Sequence, residues 1–502
     1  MFLHFCGEKL IKKSITEKFI YEYSDTGRFR AAVCYPNSYY VGMSNLGFHN
    51  LFDRVSAFHG VRVVRYFLEK NDRLYSPDAF IPQKMDMFTG RGQTLQGYDA
   101  LFFTVSFELD YINILKMLSL SSIPLLTTER NGKFPFIIIG GIAVTANPEV
   151  LSVFSDIVFV GDMEENIEKI LQILLESGFH KSIPLIKQLA GVDGVYIYSK
   201  KDAVLQRSIT KDITRPSHSV VLTKNTEFSD MFLMEIIRGC RNTCSFCMIR
   251  CACSPVRSIR REHILLYINR ALSCTKRIGL IGPALTDHSN LAEIVSEINE
   301  LGCFVSFSSL RADDFNEETA RLLSKNKQNT LTFAPEAGSN RLRNRIRKNL
   351  TNENLIDAVS LAIEYGIKKF RYYFMYGLPG ETTRDIRAIT TLVNKTAELF
   401  KKSGGSLHLS INPFIPKKGT PLENQYIYPV NYYMEMQKIL NDELKNVKSV
   451  TVRFESLRYL YIHALLSIGD GNTGFSLYSA FIKQSLTDFG KYAGNILSYE
   501  LN

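Results

Sequence analysis

Five of the nine cysteines in this 502-residue chain, Cys240, Cys244, Cys247, Cys251 and Cys253, fall within fourteen residues. A secreted disulfide framework spreads its cysteines through a short chain, whereas such crowding in a reducing compartment points to metal ligation. Met234 to Cys247 reads MEIIRGCRNTCSFC. An apolar run expected to be a strand ends at Arg238-Gly239. A loop then presents Cys240, Cys244 and Cys247 as C-x3-C-x2-C, with the aromatic Phe246 just before the last thiol. Three thiolates on one loop can hold three irons of a [4Fe–4S] cube, and the fourth iron is left bare because a closed cluster takes four cysteines. The alternative is a structural zinc loop, which is usually built from two C-x2-C pairs at a distance. No second pair follows at that spacing. Cys251 and Cys253, with only Cys274 and Cys303 downstream, read as small buried hydrophobes rather than ligands of a second cluster, and so do Cys6 and Cys34.

What surrounds the loop is an α/β chain. Hydrophobic residues at 45% and charged residues at 22% exclude a disordered polymer. At roughly 150 residues per domain the length suggests about three domains. After an N-terminal extension (1–28), residues 29–200 alternate apolar runs with helical patterns. Expected strands are Phe29 to Tyr35, Val61 to Tyr66, Ala100 to Ser106, Phe136 to Ile139 and Ile157 to Val160. Glycines at strand ends (Gly140-Gly141, Gly161) imply a doubly wound, Rossmann-like sheet with a crevice above those ends. Residues 201–230 read as a linker.

A second series spans 231–430, with strands at 232–237, 277–281, 304–307, 330–333, 369–375 and 407–411. Six βα units suit a partial barrel whose chemistry sits at the strand C-terminal ends. Residues 431–502 read as a small, mostly helical region. The longest apolar stretch, 134–146, is too short to span a membrane, which takes about 20 residues. The N-terminus turns charged within eight residues and has no signal-peptide core, so a cytoplasmic protein with no membrane partner is expected.

The cysteine spacing, Phe246 and the barrel pattern together resemble the radical S-adenosylmethionine (SAM) superfamily. The resemblance implies that the bare iron chelates the amino and carboxylate groups of SAM and passes one electron into its sulfonium. A 5′-deoxyadenosyl radical results, with the electron coming from a donor such as flavodoxin or ferredoxin. Further segments fall at expected strand ends in the family's order. Ile278 to Pro283 stands where relatives carry a Gly-Gly-Glu stretch, of which only Gly282 remains. The resemblance implies that Ser309 and Arg311, in Ser308 to Arg311, face the cofactor carboxylate. Glu336, in Ala334 to Ser339 (APEAGS), matches a carboxylate on the cofactor's ribose or amino group. Gly377, Pro379 and Glu381 form a turn along the adenine, and Asn412 to Pro421 (NPFIPKKGTP) resembles a Pro-rich segment of related enzymes. Each motif alone is an ordinary turn or surface charge, and their joint order carries the reading. Arg341, Arg343, Arg345, Arg347 and Lys348 read either as a solvated helix face or as an anion clamp.

The N-terminal half resembles the cobalamin-binding domain found upstream of many such barrels. Ser106, Gly140, Gly141 and Gly161 match positions where the corrinoid's nucleotide tail threads between sheet and helices. The loop after the first strand lacks Asp-x-His-x-x-Gly, and His49 reads as a packing residue, so cobalamin is expected base-off and without a histidine ligand. The combination resembles a subgroup of B12-binding-domain radical SAM enzymes, over residues 29 to about 475. The expected function is radical SAM chemistry on an unknown substrate, extended by cobalamin-dependent methyl transfer. Two rivals are methylthiotransferase-like modification of RNA or protein, for which a pI near 9.0 permits nucleic-acid contact, and a non-catalytic iron–sulfur sensor or scaffold.

Overall fold

The computed structural model describes residues 15–23, 26–78, 94–130, 132–179, 181–200, 205–308 and 310–497. Seven strands form the N-terminal sheet: β1 (Phe29–Tyr35), β2 (Val61–Glu69), β3 (Arg73–Tyr75), β4 (Ala100–Thr104), β5 (Phe136–Gly140), β6 (Ile157–Phe159) and β7 (Val195–Tyr196). Their spatial order is β3-β2-β1-β4-β5-β6-β7. The five central strands run parallel, and the outer strands β3 and β7 are antiparallel.

Strands β4 (ALFFT) and β6 (IVF) are buried at every position, because parallel strands covered on both faces read as continuous apolar runs. Alternate residues serve opposite faces. Leu101 and Phe103 join one core with Ile137 and Ile139, while Phe102 and Ile138 join another. The order reverses between β1 and β4, the switch point where such sheets open a crevice.

The second sheet system comprises β8 (Phe232–Glu235), β9 (Arg277–Ile281), β10 (Phe304–Phe307), β11 (Thr330–Glu336), β12 (Lys369–Tyr376), β13 (Ser406–Pro413) and β14 (Val450–Phe454). All pairings are parallel, in two arcs, β8-β9-β10 and β11-β12-β13-β14. Side-chain amides bridge the gap between the arcs. Gln328 accepts from the Phe307 amide (2.9 Å) and donates to the Thr330 carbonyl (3.1 Å), and Asn326 accepts from the Val305 amide (2.7 Å). Both arcs share one core, from Ile278 and Val305 to Phe370 and Leu409. The result is an open, partial barrel.

Six of these strands coincide with the expected six. The seventh, β14, extends the second arc beyond them. The tail is otherwise helical, as expected, and crosses back to the other domain. Ile462, Leu465, Leu477 and Phe489, from helices Leu460–Ile468, Gly471–Ile482 and Leu486–Leu497, pack in the core of the N-terminal sheet. Among the described residues no helix is long and apolar enough to cross a membrane.

Candidate active site at the barrel mouth

The cysteine loop leaves the end of β8 through a narrow neck. Ile237–Arg238 pairs antiparallel with Arg257–Ser258, so everything between is a closed excursion from the barrel rim. Gly239 has φ +83°, and a Cβ there would lie 2.7 Å from the Cys253 carbonyl oxygen. Only glycine tolerates that turn and that approach. Cys247 is the N-cap of the short helix Met248–Ala252, its amide bonded to the Cys244 carbonyl (3.2 Å). The Ser245 amide reaches across to the Ile346 carbonyl (2.9 Å), and Asn242 Nδ2 sits 3.5 Å from Cys240 Sγ.

The three thiols are close enough to feel one another's charge. Burial raises Cys247 to about 11 and raises Cys244, against the pull of Lys348 and Arg311 on Cys244. A thiolate is the ligating form, so a bound metal would have to displace these protons. Among the described residues no three His, Cys, Asp or Glu side chains gather around a point for a single metal ion. The donor set fits a three-thiolate [4Fe–4S] site.

Cys251 and Cys253 lie in other surroundings. Cys251 donates to the Gly419 carbonyl (2.6 Å). Burial pushes Cys253 up to about 11, and the charges around it are Arg238, Asp162, Glu235 and Arg257.

The family-like motifs meet at this mouth. Ala337, Leu342, Ile346, Leu378 and Phe414 form a small apolar cluster against which Phe246 packs. It therefore joins the cysteine loop, the end of β11, the turn after β12 and the segment after β13. Glu336 has φ +67° at an irregularity in the β11–β12 register, the kind of kink that re-aims a side chain at a strand end. Burial raises its pKa, although Lys348 lies 3.3 Å away. Arg311 pairs with Asp313 (2.6 Å) and acts on Cys244 and Glu336.

Gly282 follows β9, and a Cβ there would sit 2.4 Å from Ile237 Cγ2. Gly377 (φ +79°) lies against the Tyr433 ring, with Pro379 buried beyond it. Glu381 turns inward: its Oε1 accepts from the Gly377 amide (2.6 Å) and from the Tyr432 hydroxyl (2.7 Å), and burial raises its pKa to about 7. It braces the turn. Ser309 lies outside the described residues.

The basic run divides between its two readings. Arg343 is fully buried and bonds the Ala337 (2.6 Å) and Leu350 (2.7 Å) carbonyls, Arg341 pairs with Asp385, and Lys348 alone is paired with Glu336.

In the N-terminal sheet the expected corrinoid contacts are unequal. The Ser106 hydroxyl receives Asn45 Nδ2 (3.0 Å). Gly140 has room beside it, the nearest atom to an added Cβ being 3.8 Å away. Gly141 (φ +115°) and Gly161 (φ +105°) press on the chain itself, with added Cβ atoms 2.2 Å from the Val105 carbonyl and 2.1 Å from the Ser208 carbonyl. His49 is buried and committed, its Nε2 3.0 Å from the Met43 carbonyl and its Nδ1 accepting from the Val220 amide (3.2 Å). The donor set thus fits a corrinoid only on the Ser106–Gly140 side.

A second polar cluster at these strand ends was not legible in the sequence. Glu108, buried after β4, receives both Lys417 contacts (2.7 and 2.8 Å), lies 3.1 Å from His463 Nε2 and accepts from Ser467 (3.3 Å). The partners come from segments over 300 residues away. Its only sequence signal was an acidic residue inside SFELDY and a lysine in NPFIPKK.

Residues 47–197 match the family model for radical SAM proteins, N-terminal, and residues 234–393 match the radical SAM superfamily model. An uncharacterized protein of Methanocaldococcus jannaschii is 29% identical over 92% of this chain and 95% of its own length. The ribosomal protein uS12 methylthiotransferase RimO of Syntrophobacter fumaroxidans is 27% identical over 37% of this chain and 43% of its length. Among solved structures, the radical SAM methyltransferase TsrM from Kitasatospora setae, with cobalamin and a [4Fe–4S] cluster bound, superposes with a TM-score of 0.52. It is 12% identical, covering 79% of this chain and 77% of that one. The cobalamin-dependent radical enzyme OxsB, with aqua-cobalamin bound, gives 0.52 at 13% identity, covering 91% of this chain and 61% of that one. At such identity the likeness is one of fold, and it extends across both domains.

Proposed function

The chain belongs to the radical SAM superfamily, and from that premise we propose that Cys240, Cys244 and Cys247 hold a [4Fe–4S] cluster whose fourth iron is left for SAM. The observation that carries this reading is the apolar cluster uniting Phe246, Ala337, Leu378 and Phe414, because it gathers four separately encoded motifs beside three thiols. Cys240, Cys244 and Cys247 would hold the cluster, and the chemistry it would supply is one-electron reduction of the SAM sulfonium, with cleavage of the C5′–S bond to methionine and a 5′-deoxyadenosyl radical.

The chain's own residues bind and orient. Arg311, two residues before its resting partner Asp313, offers a guanidinium to the SAM carboxylate. Glu336 offers its carboxylate to the amino group or ribose, exchanging Lys348 for the ligand. The Gly282 carbonyl contributes a backbone acceptor. Gly377 and Pro379, stiffened by Glu381, present a flat turn edge to the adenine. Phe246 and its apolar neighbours keep water from the thiols.

The N-terminal domain would meet cobalamin, base-off, at Ser106 and Gly140, and the cofactor would supply a methyl group for transfer to the substrate. A low-potential donor such as flavodoxin or ferredoxin would supply the electron, in the cytoplasm. Methylthiolation of RNA or protein is the second reading, favoured by the RimO match. The test is anaerobic reconstitution with iron and sulfide, with and without hydroxocobalamin. Deoxyadenosine release on adding SAM and reductant is expected. A cluster that forms yet never releases it would leave a sensor or scaffold. A corrinoid band co-eluting with the protein is expected on the cobalamin reading, and its absence would remove methyl transfer from it.

A further inference from the structure

The two arginines that face each other across the neck of the cysteine loop, Arg238 and Arg257, are register partners. Like charges directly opposite in an antiparallel pair repel, and both are buried. One carboxylate from the other domain bridges the two. Asp162, in the turn after β6, pairs through Oδ1 with Arg238 (3.0 Å) and through Oδ2 with Arg257. The Thr210 amide also donates to Oδ2 (3.0 Å), and the Asp162 amide is bonded to the Ser208 carbonyl (2.9 Å).

Arg238 takes two more carboxylates, Glu164 (2.8 Å) and Glu235 (2.7 Å). Arg257 reaches the Cys253 (2.9 Å) and Pro255 (3.0 Å) carbonyls. Arg207 bonds the Cys251 and Ser254 carbonyls. Arg207 and Arg257 thus hold carbonyls of the excursion that carries the thiols, and Arg238 ties the first strand of its neck to the N-terminal domain. The positive φ of Gly161 and the absence of room for a Cβ there fit this purpose: the turn must lie flat on Ser208 for Asp162 to reach the neck.

Resting on the radical SAM reading of the loop, we propose that Asp162 is a positioning residue for the cysteine loop, a carboxylate of the N-terminal domain that clamps both strands of its neck. The N-terminal domain then sets where Cys240 stands, two residues beyond Arg238. Removing the Asp162 charge leaves Arg238 with Glu164 and Glu235 but strips the buried Arg257 of its carboxylate, so the Arg257 strand of the neck is released and the neck opens without unfolding either core.

The experiment uses the full chain in its apo form and after reconstitution. Pulsed alkylation with mass-spectrometric readout compares Asp162→Asn with wild type. Cys240 and Cys253 should label at least about fivefold faster in the variant, while the core thiols Cys34 and Cys303 keep their wild-type rates. Asp162→Glu should recover most of the protection. After anaerobic loading, the reduced Asp162→Asn protein should give an electron paramagnetic resonance signal that no longer shifts with SAM. Asp212→Asn, which removes an exposed partner of Arg260 outside the neck, should match wild type throughout. Unchanged labelling of Cys240 in Asp162→Asn would overturn the proposal. So would equal acceleration of all thiols, which would make Asp162 a global stability residue. If wild type takes up no cluster, the radical SAM reading falls, yet the labelling comparison still decides the clamp.

Discussion

The two parallel sheets end in different ways. At the barrel mouth Asn242 Nδ2 lies 3.5 Å from Cys240 Sγ, and the charges nearby pair locally, Arg311 with Asp313 and Asp314 and Glu336 with Lys348. At the ends of the N-terminal sheet two carboxylates are committed across a domain boundary, Glu108 to Lys417 and His463 and Asp162 to Arg238 and Arg257, while Asp110 is held within the domain by Asn37 and Asn113. The N-terminal strand ends are braced by a seam to the rest of the chain, beside the Ser106–Gly140 side that we propose for cobalamin, and the barrel-mouth strand ends surround the cysteine loop. The same α/β grammar therefore does not decide function.

Cys244→Ala separates the two ends most sharply. It should abolish the iron–sulfur absorption of the reconstituted protein, from about four irons per chain to near none, with little change in thermal melting. Retention of a full cluster would return the barrel mouth to a merely structural role.

Glu108→Ala tests the seam. It strands Lys417 and His463 in a buried site and should cost about 3–5 kcal/mol, read by denaturant unfolding, while three thiols and their iron uptake remain. The neighbouring cations hold the Glu108 carboxyl well below its usual range, Lys417 foremost. Its folded pKa is depressed, so the stability it confers is present above about pH 4 and is lost as the pH falls further.

Asp110 should behave in the opposite sense. Burial raises its pKa to about 7, so the folded state holds its proton more tightly than the unfolded chain. Stability from this group is complete below about pH 4 and declines as the pH rises through 7. Asp110→Asn keeps an acceptor for Asn37 and Asn113 and should flatten that decline, a gain of about 1–3 kcal/mol at pH 8. An unfolding series from pH 5 to 8 shows it, and an unaltered slope would mean that Asp110 is ionised in the fold. The smallest effect is expected for Cys251→Ser, since that thiol only donates to Gly419. Iron content should match wild type, and a fall by one iron or more would make Cys251 a ligand.

Much of this was legible in the sequence. The apolar runs of β4, β5 and β9 announce themselves because buried parallel strands need no alternation, and the C-x3-C-x2-C spacing is a local signature that survives without tertiary knowledge. What was not legible depends on distance along the chain. Lys417 meets Glu108 across 309 residues, and nothing local marks either as buried. Gly161-Asp162 was visible as a turn, but its purpose differs: the glycine lets the backbone lie on Ser208, and the aspartate reaches the barrel. Glu381 looked like a ligand contact and is turned inward onto Gly377 and Tyr432. Strand β14 (VTVRF) is short and half-exposed, so its pattern is weak next to the helices around it.

The central claim is tested most directly by deoxyadenosine. The anaerobically reconstituted wild-type chain, given SAM and a low-potential reductant, should release 5′-deoxyadenosine, and the Cys244→Ala chain should release none. Equal amounts from both, or none from a wild-type chain carrying its full iron, would contradict the account.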